Sequence, residues 1–177
     1  MLLSEAAPQL GAALVHLDRH RRLQSLARLD PGTMLLNRRA FVELLERAMP
    51  RGGSLLYLDL DNLKLVNDTF GHLAGDEAIL AVTRVLNQVL RPLDVTGRLG
   101  GDEFGVWLGG ASEAGAQAVT ERLRSALAPL ADRSGNPAFP FGASIGIAHC
   151  PAGTPETIPA LLARADAAMY RNKRSRR

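Results

Sequence analysis

A seven-residue run, Arg98-Leu99-Gly100-Gly101-Asp102-Glu103-Phe104, restricts this chain more than any other stretch. Two adjacent glycines free the backbone to reverse sharply, and a Cα without a Cβ lets a ligand phosphate come close. Apolar strand-like segments flank the run, Val95 to Leu99 before it and Phe104 to Leu108 after it, so it reads as a hairpin tip. Asp102 and Glu103 then place two carboxylates at that tip. Oxygen donors of this kind hold hard cations such as Mg²⁺, which keep phosphates as partners. Alone, the string is equally compatible with an exposed turn, where Gly and Asp are common.

A second acidic stretch lies upstream. Leu55 to Leu58 form the continuous apolar run of a strand covered on both faces, and the run ends in Asp59 and Asp61. Those two acids point to one side, because side chains alternate along a strand. Carboxylates at the end of a buried strand are costly unless paired or bound to a cation. Asp61 could instead cap the helix that follows, which leaves Asp59 the better metal-ligand candidate. Lys64 follows on the next helical turn and could supply a point charge to phosphates.

At 177 residues, 46% hydrophobic and 22% charged, the chain suits one globular domain with a sizeable core. Its single cysteine, Cys150, rules out an internal disulfide framework and fits a reducing cytosol. No apolar run approaches the roughly 20 residues of a membrane span, and no signal-peptide pattern opens the chain; the expected location is cytoplasmic, with no membrane association. The net charge of +3 gathers in Arg171, Lys173, Arg174, Arg176 and Arg177 with little aromatic interleaving, which argues against nucleic acid as a partner.

Periodicity gives an alternating pattern of helices and strands. Asn37 is an N-cap for a helix with Phe41, Leu44, Leu45 and Ala48 on one face. A strand ending at Asp59 follows, then a short helix from Leu63 to Phe70. Asp76 and Glu77 open a longer helix with Ile79, Val82, Leu86, Val89 and Leu90 on its stripe, ended by Pro92. Beyond the hairpin come a helix from about Glu113 to Leu130, a strand from Phe139 to Ala148 and a last helix from about Pro159 to Arg174. Residues 1–29 carry a short apolar stripe (Leu10, Ala13, Leu14, Leu17) and then Leu23, Leu26 and Leu29 at a shifted phase, too short for a coiled coil.

The two acidic stretches and their neighbours, in this order, resemble the GGDEF family of diguanylate cyclases. The resemblance rests on the segment Asp30 to Arg39, Asp59-Leu60-Asp61, Asn67-Asp68, Gly71-His72-Leu73-Ala74-Gly75-Asp76, the hairpin, Ser144 to Ala148, and Ala165 to Tyr170 with Lys173. It covers residues 30–177 and makes residues 1–29 an N-terminal linker or signalling helix. It implies an α+β fold, a mixed, mainly antiparallel five-stranded sheet surrounded by helices, akin to the palm of nucleotide cyclases and polymerases. The activity it implies is condensation of two GTP into cyclic di-GMP across a homodimer, with Mg²⁺, or Mn²⁺, as cofactor. By resemblance, Asp59, the Leu60 carbonyl and Asp102 hold the metal; Asp102 or Glu103 activates the attacking hydroxyl; Lys64, Lys173 and Arg177 neutralise phosphates. Asn67 and Asp76 would read guanine, with His72 lining the pocket. Arg91-Pro92-Leu93-Asp94 stands at the spacing of the family's inhibitory RxxD motif, where cyclic di-GMP binds, with Arg122 as a further contact. The alternative is a catalytically silent domain that binds GTP or cyclic di-GMP as a regulatory module.

Several positions depart from the family's pattern. Gly32 replaces a leucine and Met34 a glycine in the turn after Asp30, and a methionine there is strained if the position needs a positive φ. Leu63 replaces a phenylalanine, Asn172 an alanine and Arg176 a glycine.

Overall fold

The computed structural model describes residues 28–174. The linker expected over residues 1–29 therefore lies outside the described residues except for Arg28 and Leu29, and so does Arg177. Arg28 and Leu29 are not helical: the Asn37 N–H donates to the Arg28 carbonyl at 2.9 Å, and Leu29 forms an isolated antiparallel bridge with Leu36.

Five strands and five helices follow among the described residues. They are β1 (Leu36–Asn37), α1 (Arg38–Ala48), β2 (Gly53–Asp61), α2 (Leu63–Phe70), α3 (His72–Val89), β3 (Val95–Arg98), β4 (Glu103–Gly109), α4 (Glu113–Leu127), β5 (Gly142–Cys150) and α5 (Ile158–Arg174). The strand order is β1-β3-β4-β2-β5, with β1 parallel to β3 and every other pair antiparallel. This is the α+β architecture that the resemblance implies.

β2 sits between β4 and β5 and is covered on both faces, so its near-continuous leucines are all buried: Leu55, Leu56 and Leu58 are at 0% exposure. Each contributes about 1.5–3 kcal/mol of burial free energy. On one face Leu56, Leu58 and Leu60 pack with Val66 of α2, Val82 of α3 and Leu123 of α4. On the other, Leu55 and Tyr57 pack with Phe41 of α1 and with Leu161 and Met169 of α5. Helix α5 lies almost on the sheet backbone. A Cβ at Gly146 would fall 2.1 Å from the Ala165 carbonyl oxygen and 2.2 Å from the Met169 nitrogen, so only a glycine fits beneath it. No helix among the described residues is long and apolar enough to cross a membrane.

Caps set several boundaries. Asn37 accepts from the Ala40 N–H at the start of α1, and Ser112 from the Gly115 N–H at the start of α4. β2 runs to Asp61, beyond the Asp59 expected from sequence, because β5 pairs with it as far as Gly142 opposite Asp61. α3 begins at His72, a turn earlier than Asp76: Gly71, at φ 88°, makes a one-residue corner from which the new helix starts at once. α4 ends at Leu127 and passes into a 3₁₀ segment, Ala128–Ser134, that carries Pro129. β5 starts at Gly142 rather than Phe139, since Pro140 has no N–H for the ladder; its carbonyl instead accepts from Asn62 Nδ2 at 2.7 Å.

Met34 has φ 59° and is 66% exposed, so its side chain gains little from packing while its backbone holds a left-handed conformation. The strain expected from sequence is present. Met34→Gly will stabilise the domain by about 1 kcal/mol, seen as a rise of about 2–4 °C in a thermal melt; an unchanged or lower midpoint would show that the turn bears no strain.

Candidate active site

The carboxyl end of β2 collects the acids. Asp59 stands directly opposite Glu103 on β4 and Ser144 on β5, and all three share the face covered by α5. The Leu60 N–H donates to the Asp102 carbonyl at 3.0 Å. A strand residue's N–H and C=O point to the same side, so the Leu60 carbonyl also faces the hairpin.

Asp59, Asp61 and Glu103 each have a partner. Lys173, in the last turn of α5, pairs with Asp59 and lies 3.8 Å from Asp61. The Ser144 hydroxyl donates to the Asp61 carboxylate, 2.9 and 3.0 Å from its two oxygens. Asp61 is thus engaged by β5 and does not cap α2, whose N-cap Asn62 is left-handed at φ 61° with no side-chain cap. The Tyr57 hydroxyl donates to Glu103 Oε1 at 2.9 Å. Burial pushes the Asp59 carboxyl above the ordinary carboxylate range; Lys173 opposes the shift and the nearby Asp102 and Asp61 charges add to it.

The hairpin is held from outside. Arg98 donates from Nε to the Gly100 carbonyl at 3.1 Å, from Nη2 to the Gly101 carbonyl at 2.7 Å and from Nη1 to Asp30 Oδ1 at 3.2 Å. Asp30 in turn accepts from the Thr33 backbone N–H at 2.9 Å and hydroxyl at 2.8 Å. One guanidinium therefore joins the turn after Asp30 to the glycine turn. Neither Gly100 nor Gly101 has a positive φ. Gly100 matters for a different reason than backbone reversal: a Cβ there would fall 2.3 Å from Glu103 Oε2 and displace that carboxylate.

The candidate guanine readers lie on α2 and α3. The Asn67 amide oxygen rests against Gly75, the residue before Asp76 on α3, where an added Cβ would come within 1.9 Å of it. Asp76 is exposed in the second turn of α3, His72 is exposed at its first position, and Lys64 is exposed on α2. The RxxD residues form a separate cluster. The Arg91 N–H donates to Asp94 Oδ2 at 2.8 Å, and Arg122 Nη2 donates to the Val89 carbonyl at 3.0 Å, which brings Arg122 to the same corner. Arg91 and Asp94 border a cleft of about 440 Å³ and stand one end of β3 away from the hairpin, about 13 Å at the strand rise. Sequence reasoning assigned no role to Tyr57, Arg98 or Ser144. Arg98 and Ser144 stood inside quoted motifs, whereas Tyr57 passed as one more residue of an apolar strand.

The donor set at the end of β2 fits a hard divalent cation. It comprises the Asp59 and Asp102 carboxylates with the Leu60 carbonyl, all oxygen, and the charge that burial makes costly on Asp59 is one that a cation relieves. Among the described residues no cluster of three or more His, Cys, Asp or Glu side chains could hold a metal. Two carboxylates and a carbonyl suit Mg²⁺, which completes its shell with phosphates and water.

A mixed, mainly antiparallel sheet whose central strand ends in carboxylates beside a glycine hairpin defines an α+β domain of the cyclase palm kind. The chain belongs to the GGDEF family: the family described as "Diguanylate cyclase, GGDEF domain" matches residues 27–177. It is similar to the diguanylate cyclase DgcP of Pseudomonas aeruginosa, 41% identical over 155 residues, which are 84% of this chain and 23% of that protein. It is also 38% identical over 134 residues to the cyclic di-GMP phosphodiesterase PdeB of Shewanella oneidensis, 72% of this chain and 15% of that protein. The chain thus spans less than a quarter of the length of either curated relative. Among solved structures, the coiled coil and GGDEF domain of DgcB from Caulobacter crescentus, in complex with c-di-GMP, superposes with a TM-score of 0.74 at 30% identity, covering 98% of this chain and 93% of that one.

Burial raises the Asp30 pKa, but the hydrogen bonds from Thr33 and Arg98 outweigh it and hold the carboxyl below its ordinary value of 3.8. An acid with a depressed folded pKa stabilises the fold above its unfolded value, and that stability is lost as pH falls through the folded one. Asp30→Asn will therefore flatten the acid side of the stability curve, measured by urea unfolding between about pH 5 and pH 2.5; an unchanged slope would refute the coupling.

Proposed function

We propose that this domain is a diguanylate cyclase, joining two GTP into cyclic di-GMP with release of two pyrophosphates. One observation carries the reading: Asp59, Asp102 and Glu103 converge on the end of a buried strand, Asp59 opposite Glu103 and Leu60 bonded to Asp102. Acids placed there at such electrostatic cost suit a cation and a polyphosphate.

In the reaction, the 3′-hydroxyl of one GTP attacks the α-phosphorus of another; the O–P bond forms as the bond to pyrophosphate breaks, and the hydroxyl proton leaves. Bound Mg²⁺ or Mn²⁺ supplies charge neutralisation on the triphosphate and lowers the cost of ionising the hydroxyl. Asp59, Asp102 and the Leu60 carbonyl hold the cation, and Glu103 or Asp102 takes the proton. Lys64, Lys173 and Arg177 bind the β- and γ-phosphates. Asp76 accepts from guanine N1–H and N2–H, the Asn67 amide meets O6 or N3, and His72 lines the pocket. Each domain binds one GTP, so two copies face each other across a two-fold axis to close the ring of the product. Cyclic di-GMP then binds at Arg91, Asp94 and Arg122, where the guanidinium fork of Arg91 suits a guanine edge or phosphate, and slows further synthesis.

The test is nucleotide chromatography after incubating nucleotide-free protein with GTP and Mg²⁺, beside Asp102→Ala. Wild type is expected to make cyclic di-GMP, with at least about a hundredfold less from the variant. Absence of product from a wild type that still binds GTP would favour the silent regulatory module. Arg91→Ala is expected to weaken cyclic di-GMP binding, read by calorimetry, by at least about tenfold; unchanged affinity would refute the inhibitory site.

A further inference from the structure

We propose that Tyr57 is a positioning residue for this reaction, its hydroxyl holding the Glu103 carboxylate in place beside Asp59; the inference rests on the cyclase reading above. Tyr57 lies one pleat before Asp59 on the same face of β2, buried at 7% exposure between the sheet and helices α1 and α5. Its strand neighbour on β4 is Gly105, over which Phe41 and Leu99 close the core beside it. From there the hydroxyl reaches diagonally to the signature acid and donates to Oε1 at 2.9 Å.

Oε2, the other oxygen of Glu103, lies against Gly100, so close that a Cβ at that glycine would fall 2.3 Å from it. The Tyr57 phenol thus orients one oxygen by a hydrogen bond, while the other lies beside a bare Cα. Arg38 from α1 and Asp166 from α5 also bear on the hydroxyl electrostatically, yet its hydrogen bond goes to Glu103. A hydrophobic side chain would fill this strand position as well. A buried hydroxyl demands a partner, and here the partner is an acid of the hairpin.

Catalytic groups work only when held within a fraction of an ångström of their productive geometry, so losing this bond acts on turnover more than on binding. The experiment compares wild type with Tyr57→Phe, which keeps the ring and removes only the oxygen. It reads kcat and KM for GTP with saturating Mg²⁺, the melting temperature, and calorimetric affinity for a non-reactive GTP analogue. The expected result is a kcat lower by about tenfold to a hundredfold, with KM and analogue affinity within about twofold and the fold intact. In a Glu103→Gln background, Tyr57→Phe is expected to cause no further loss. An unchanged kcat overturns the inference, as does a kcat loss matched by an equal loss of analogue affinity or added to that of Glu103→Gln. A wild type that makes no product overturns the cyclase reading and this inference with it; a wild type that turns over no faster than Tyr57→Phe overturns the inference alone.

Discussion

Everything at the candidate site depends on the double pairing of β2. The strand is hydrogen-bonded to β4 on one side and β5 on the other and buried on both faces, so it has almost no freedom to move. Its last residues emerge from that packing as acids, and the register on either side decides what they meet. On β4 the register puts Glu103 opposite Asp59; on β5 it puts Ser144 there. A slip of one residue would turn Asp59 and Asp61 to the other face, against Val66, Val82 and Leu123, and carry Leu56, Leu58 and Leu60 off that core. The leucines that make the core thereby also aim the carboxylates.

The glycine hairpin is stiffened by a second, independent constraint. Arg98 grips two of its carbonyls and anchors to Asp30, at the entrance to the domain. A planar guanidinium with several fixed donors can do this where a lysine could not. The tip that carries Asp102 and Glu103 is thus braced by its own strand from below and by the first turn of the domain from the side.

Much of this was legible in the sequence because it is local. The hairpin, the strand that ends in acids, the Asn37 cap and the stripe of α3 all follow from residues a few positions apart. The five-stranded sheet came by family resemblance, and β1, with two residues, is too short to show any period. What escaped was the set of side-chain contacts across long stretches of chain. Lys173 meets Asp59 across 114 positions, Ser144 meets Asp61 across 83, and Tyr57 meets Glu103 across 46. No spacing rule reaches that far. The altered turn was different: the strain at Met34 was foreseen, because a left-handed backbone burdens a methionine wherever it occurs.

The packing at Gly146 carries a consequence for how such a domain can change. Its Cα supports α5 between Ala165 and Met169, one helical turn before Lys173. The helix rests there as a beam rests on a fulcrum, and the cation that balances Asp59 is its free end. A single methyl group at Gly146 would lift that beam and draw the lysine off the acid without altering any residue of the site. The charge at the end of β2 is therefore adjustable from beneath the helix, by volume rather than by chemistry.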